Sequence, residues 1–143
     1  LIKGNTYVCA IKCYSRFFPH LCTLMDLSGL SGQGKYKSKE NSIGYDYCDL
    51  VGFGMTLIRR DTFSIIDKPY FIGINNEKED NYFCDKLIEK GIKPMGCFDY
   101  VCTHDGVDDN NLDDLRNRGF RAVISDLKNK MPSYTNQELL VIA

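Results

Sequence analysis

Hydrophobic and polar positions in the first half of the chain predict short strands joined by turns. Residues 6–14, TYVCAIKCY, are rich in β-branched and aromatic side chains, which is typical of a strand. Residues 55–60, MTLIRR, predict a second strand that is entered through Gly52 and Gly54. The DTFSII segment after it predicts a short helical turn, and KPYFIG at 68–73 is expected to be extended.

The most regular helical pattern covers residues 79–91, EDNYFCDKLIEKG. Its apolar positions recur at helical spacing and are Tyr82, Phe83 and Leu87. Glu79 and Asp80 stand in the expected first turn, and Gly91 is the residue type that commonly follows the end of a helix.

The remaining pattern predicts two short strands, at 92–98 and 100–104, separated by a turn at Asp99. A further helix is predicted over 120–131, with its start in the NLDDLRNRGF segment before it. Residues 28–42 are rich in Gly, Ser and Lys and predict a mobile loop. The alternation predicts a single domain over residues 1–143, of α/β or α+β class with a mostly central sheet.

Composition excludes several classes of function. A net charge of −1 gives no basic surface for nucleic acid or an anionic membrane. No apolar run approaches the ~20 residues of a transmembrane helix. The seven cysteines are odd in number, form no CxxC pair and stand largely in apolar runs, which predicts buried free thiols in a reducing compartment and therefore a cytoplasmic protein.

The first residue is Leu1, and a predicted strand follows almost at once. This is the appearance of a piece cut from a longer chain, so we expect further sequence upstream.

Glu79 and Asp80 have two interpretations. Acidic residues in a first helical turn cap free N–H groups and offset the helix dipole, which is by far their commoner role. A carboxylate at the mouth of a cleft can instead take a proton from an attacking hydroxyl as a general base.

His104, Gly52 and Gly54 also have two interpretations each. His104 ends a predicted strand, where it is either a hydrogen-bonded surface residue or a metal ligand. The two glycines either start a strand or let the backbone approach a ligand closely. A zinc site at Cys97, Cys102 and His104 is disfavoured, because C-x4-C-x-H matches no common zinc pattern. His20 is expected to be structural.

Taken in order, four segments resemble the second half of a GT-A-type glycosyltransferase domain of the large family-2-like group. They are CDLVGFGMTLIRRDTF at 48–63, KPYF at 68–71, EDNYFCDKLIEKG at 79–91 and KPMGCFDYVCTH at 93–104. The first strand looks like the one that follows the sugar-nucleotide-binding acidic motif of these enzymes. The resemblance spans residues 5–106, and its specificity lies in the order and spacing of motifs that are individually weak.

The resemblance implies a GT-A-like mixed sheet flanked by helices and transfer of a sugar from a nucleotide-sugar donor to a carbohydrate, lipid or protein acceptor. It implies that Asp80 is the base, with Glu79 as second choice, and that His104 binds a divalent metal, Mn²⁺ or Mg²⁺. It places Gly52, Phe53, Gly54 and Tyr70 at the substrate. A single base favours inversion of the anomeric centre.

The chain also departs from this pattern. It contains no DxD motif, which would hold the metal and is expected upstream of Leu1, and NEK replaces the usual Gly before the ED pair. Asp105 follows His104 where relatives often carry an apolar residue, and Tyr70 stands where a Trp is usual. These departures favour an alternative function, an inactive or truncated relative that binds a carbohydrate or a partner chain.

Overall fold

The computed structural model describes residues 6–29, 35–73 and 78–142. They form a mixed α/β fold of two sheets and four helices. The strands are β1 Val8–Cys13, β2 Leu24–Leu27, β3 Tyr36–Ser38, β4 Tyr45–Tyr47, β5 Leu50–Val51, β6 Thr56–Ile58 and β7 Met95–Cys102. The helices are α1 Thr62–Ile65, α2 Glu79–Glu89, α3 Leu112–Lys130 and α4 Asn136–Ile142.

The larger sheet has the strand order β4-β7-β1-β6 and is mixed. β1 pairs in parallel with β7, whereas β6 and β4 lie antiparallel at the two edges. Because β1 and β7 run in the same direction, the residues that follow both strands emerge at one end of the sheet. This end carries the site described below.

The smaller sheet has the order β3-β2-β5 and is antiparallel throughout. β3 lies inside the segment predicted as a mobile loop, so at least residues 36–38 are ordered by pairing with β2. Lys39, directly after β3, places its ammonium 3.1 Å from Asp26 and 2.7 Å from Asp46 and ties the segment to both sheets. Residues 30–34 of the predicted loop lie outside the described residues.

Helix α2 begins and ends where the sequence pattern predicts. It starts at Glu79, and Gly91 follows it with a φ of 71°, a conformation that glycine adopts without strain. Its buried residues Phe83, Cys84 and Leu87 pack towards the sheets, and α2 contacts β5 directly. This packing fixes where the first turn of the helix, with Glu79 and Asp80, meets the end of the larger sheet.

The predicted pair of strands around Asp99 differs from the structure. The expected turn at Asp99 is an irregularity inside the single strand β7, because Cys97 is opposite Ile11 whereas Val101 is opposite Lys12. Helix α3 starts at Leu112, inside the NLDDLRNRGF segment where a start was expected, and ends at Lys130, one residue before the predicted end. Helix α4 was not predicted, since its apolar run is too short to show a period.

The core lies between the two sheets and α2, and it contains residues from β1, β2, β5 and α2. All seven cysteines are free, and five of them are buried, as predicted from their apolar surroundings. His20 is also buried, and its Nδ1 lies 2.9 Å from the carbonyl oxygen of Ser15, which agrees with a structural role. Within the described part of the chain, no helix combines the length and the apolar character needed to cross a bilayer.

Candidate functional site

An open pocket of about 500 Å³ lies beyond the carboxyl ends of β1 and β7. Six residues singled out from the sequence line it, namely Gly52, Phe53, Gly54, Glu79, Asp80 and His104. The prediction that Asp80 and His104 face one cleft at the end of the sheet is therefore confirmed. Crevices beyond the carboxyl ends of strands are where open α/β sheets commonly bind ligands.

Asp80 is half-buried in the wall of this pocket. Its Oδ1 accepts a hydrogen bond of 2.8 Å from the backbone N–H of Asn81, in the first turn of α2. Burial raises the pKa of the Asp80 carboxyl above its ordinary value and outweighs this hydrogen bond, and the neighbouring Glu79 charge acts in the same direction as burial. A partly desolvated carboxylate with a raised pKa is a stronger proton acceptor than one in water.

Glu79 precedes Asp80 and is exposed. Lys78 is the residue that caps α2, and no side chain makes a cap hydrogen bond there. Asp80 thus satisfies one backbone N–H of the first turn while also lining the pocket, so the two interpretations drawn from the sequence are compatible in geometry.

His104 is held by a two-residue hairpin turn. Asp105 and Gly106 have φ values of 49° and 78°, and backbone hydrogen bonds join His104 to Val107 in both directions. The Nδ1 of His104 lies 3.1 Å from the carbonyl oxygen of Tyr14, the residue that follows β1. A carbonyl oxygen only accepts a hydrogen bond, so Nδ1 carries a proton, and Nε2 is the ring nitrogen left for another partner.

Packing explains why residues 52 and 54 are glycines, which the sequence alone did not reveal. A Cβ atom at Gly52 would stand 2.7 Å from Cβ of Thr23, and one at Gly54 would stand 2.5 Å from Sγ of Cys13. Both distances are too short for any side chain, so the backbone of residues 52–54 lies directly on β1 and on the segment after it. Phe53 between them is half-buried and packs edge-on against Phe83 of α2.

Seven further residues that line the pocket were not predicted from the sequence. They are Cys13, Ser15, Arg16, Phe17, Thr23, Lys78 and Asp105. Arg16 lies 3.5 Å from Asp105, a largely exposed pair that joins the segment after β1 to the hairpin after β7. The signal for Ser15, Arg16 and Phe17 was their position directly after a strand that runs parallel to the one before His104.

Tyr70 is not among the residues that line the pocket. Its hydroxyl donates a hydrogen bond of 2.9 Å to the carbonyl oxygen of Phe63, and its ring packs against Phe63 and Phe71. The KPYF segment therefore folds back over α1 as part of an aromatic cluster. Tyr70 has a structural explanation at this position, and the structure does not bring it to the other predicted site residues.

The described residues do not form a metal site by themselves. No group of three or more His, Cys, Asp or Glu side chains within the described ranges is arranged to hold a metal ion. Nε2 of His104 lies 3.9 Å from Oδ2 of Asp105, and the Nδ1 contact to Tyr14 is the arrangement found for many metal-binding histidines. His104 could supply one ligand, and the others would have to come from elsewhere.

Comparison with known proteins finds no matching family model, no matching characterised protein and no matching solved structure.

Proposed function

We propose that this chain is the acceptor-side part of a GT-A-like glycosyltransferase in which Asp80 is the general base. The observation that supports the proposal is that three separate motifs of the sequence meet in one pocket. The ED pair, residues 52–54 and His104 are separated by more than twenty residues each in the sequence, and they line one pocket. Nothing in the spacing of the motifs alone requires this, whereas a shared catalytic site does.

The proposed reaction is a single displacement at the anomeric carbon. The Asp80 carboxylate takes the proton of the acceptor hydroxyl, and the hydroxyl oxygen forms a bond to the anomeric carbon of the nucleotide sugar. The bond from that carbon to the diphosphate breaks, and the nucleoside diphosphate leaves with the electron pair. Because one base acts from the side opposite the leaving group, the anomeric configuration is inverted.

Charge on the leaving diphosphate has to be neutralised in this proposal. A divalent cation, Mn²⁺ or Mg²⁺, bound chiefly by a DxD motif that this chain does not contain, would supply that neutralisation. His104 is the candidate ligand from this chain. Its contact with Tyr14 orients the ring independently of any cation.

Substitution of Asp80 tests the proposal in the full-length protein. Asp80→Asn should lower the rate of sugar transfer ~10²–10⁴-fold, because the amide cannot accept the proton. Glu79→Gln is the matched control, since it removes the adjacent carboxylate, which is exposed, and we expect the milder loss. An Asp80→Asn protein that transfers sugar at a near wild-type rate would end the assignment of the base.

The NEK segment that replaces the usual Gly before the ED pair favours a second function, a binding module without transfer activity. Calorimetric titration of the full-length protein with nucleotide sugars and Mn²⁺ separates the two. Glycan binding without any donor binding would favour the binding module and contradict the transferase.

A further inference from the structure

A second groove, of about 410 Å³, adjoins the candidate pocket and shares Asp80 with it. The two cavities share Ser15, Phe17, Thr23, Gly52, Lys78 and Asp80 in their walls. The groove continues into a region that we term the apolar arm, lined by Phe17, Phe18, Leu21, Met25, Tyr36 and Leu50. Asp80 thus belongs both to the candidate pocket, which has several charged side chains in its lining, and to a groove whose lining is mostly apolar.

The apolar arm exposes large hydrophobic side chains on a concave surface. The exposed fractions are 62% for Phe17, 36% for Phe18 and 43% for Leu21. Scattered exposed apolar residues are ordinary, but their convergence on a groove next to an ionisable residue is typical of ligand sites. A ligand that covers these side chains removes apolar surface from water and gains affinity in proportion to the area.

The polar groups of the groove are concentrated at its junction with the candidate pocket. Ser15, Thr23 and Lys78 belong to both cavities, and Asn81 follows Asp80. A sugar carries hydroxyl groups around its whole ring and needs partners for them when it is buried. The apolar arm suits a ligand with one polar end at Asp80 and a hydrocarbon or aryl body.

We propose that the apolar arm binds an apolar alcohol, with the hydroxyl at the Asp80 carboxylate and the apolar body against Phe17, Phe18 and Leu21. That this alcohol is the acceptor rests on the proposed transferase function. The binding site itself does not, because it depends only on the shape and chemistry of the groove. The adjoining candidate pocket, with Arg16 and His104 in its lining, is then left for the donor.

Direct binding to the 143-residue chain, without any donor, tests the site. The probe is 2-naphthylmethanol, whose own fluorescence reports binding because the chain contains no Trp. We expect saturable binding that Leu21→Ser and Phe17→Ser each weaken about tenfold, the effect expected when the apolar contact of one side chain is lost. Phe17 is the safer position for folding because it is the more exposed.

Leu27→Ser is the matched control. Leu27 is 44% exposed, almost the same as Leu21, and lies outside the apolar arm. Circular dichroism verifies that each variant is folded, and Leu27→Ser should bind the probe within twofold of wild type. Equal weakening by Leu27→Ser and Leu21→Ser, or no saturable binding to the wild-type chain, would overturn the proposal.

A competition experiment decides the ligand class. 1-Octanol should displace 2-naphthylmethanol, and methyl β-D-glucoside at the same concentration should not. If the glucoside displaces the probe as effectively as 1-octanol does, the ligand is a sugar and the apolar-alcohol assignment is wrong. If the site binds an apolar alcohol but the protein is not a transferase, the experiments give a different set of results. In that case 2-naphthylmethanol binds with the expected dependence on Leu21, while the full-length protein transfers no sugar to any alcohol.

Discussion

Asp80 combines two roles at the scale of a single residue, a hydrogen bond in the first turn of α2 and a place in the pocket wall. Burial raises the pKa of its carboxyl in the folded state. For a raised pKa, the stabilising contribution is complete at low pH and is lost as the pH rises through the folded-state pKa. The ionised carboxylate therefore opposes folding at neutral pH.

The first prediction follows from the destabilising effect of the ionised Asp80 carboxylate at neutral pH. At pH 7, Asp80→Asn should have a free energy of unfolding equal to or above that of the wild type, because the amide still accepts the Asn81 hydrogen bond and carries no charge. The difference should vanish on acidification, when Asp80 is protonated. Urea denaturation at the two pH values measures it. A loss above about 1 kcal/mol at pH 7 would show that Asp80 serves folding as a cap.

Gly54 gives the second prediction. Gly54→Ala forces a methyl group against Sγ of Cys13, which is itself buried, and should lower the free energy of unfolding by about 1–3 kcal/mol. Cys13→Ala makes room for that methyl group. The double variant should therefore be more stable than the sum of the two single losses, and exact additivity in a double-mutant cycle would contradict the contact.

At the scale of elements, Arg116 fastens helix α3 to the segments around it. Its guanidinium donates two hydrogen bonds of 2.8 Å to the Glu40 carboxylate and further ones to the carbonyl oxygens of Pro19 and His20. The hydrogen bonds from Arg116 lower the pKa of Glu40, and they outweigh the opposing effect of burial. Both side chains are about three-quarters covered, with 22% and 26% of their surfaces exposed.

The third prediction is that Glu40→Gln lowers the free energy of unfolding at pH 7 by about 1–3 kcal/mol. A lowered pKa contributes stability above the ordinary value of 4.5, and this contribution is lost as the pH falls through the folded-state pKa. The gap between wild type and variant should therefore narrow below pH 4.5. Thermal denaturation at a series of pH values measures it.

Asp114→Asn is the control for that series. Asp114 pairs with Arg118 one turn along the same helix, but both side chains are more than half exposed. We expect an effect below about 0.5 kcal/mol at every pH. A loss as large as that of Glu40→Gln would show that general helix electrostatics, and not the Arg116 contact, is being measured.

Longer helices and strands were easier to predict from the sequence than short ones. Helix α2 has 11 residues and strand β1 has six, which is long enough for a regular pattern of apolar positions, and both were predicted with nearly correct bounds. β3, β4 and β5 have two or three residues each, too few to show alternation, and they exist because a partner strand elsewhere in the chain pairs with them. Pairing of this kind is a property of the fold and leaves no local signal.

Thiol chemistry gives a prediction for the whole molecule. With all seven cysteines free, titration of denatured and unreduced protein should count about seven thiols, and prior reduction should not raise the count. In the native state Cys9 and Cys102 should react first, since the other five are buried and unreactive until unfolding. A count near one in denatured protein would mean three disulfides and would contradict the structure.

The candidate site was only partly predictable because it is assembled from five separate parts of the chain. Glu79, Asp80 and His104 were found from motif order, since the two acids start a recognisable helix and His104 follows a recognisable strand. Cys13 and Thr23 were not, because they enter the pocket through the close approach of residues 52–54 to β1 and the segment after it. Such backbone contact depends on three-dimensional packing and cannot be derived from spacing alone.

The parallel pairing of β1 with β7 has a kinetic consequence. The two strands are neighbours in the sheet, yet more than eighty residues separate paired positions such as Cys9 and Met95. A chain must close this long loop before either wall of the pocket exists, and contacts of high sequence separation slow folding. Recovery of ligand binding after dilution from denaturant should therefore keep pace with the slowest folding step, whereas helical circular dichroism can return earlier.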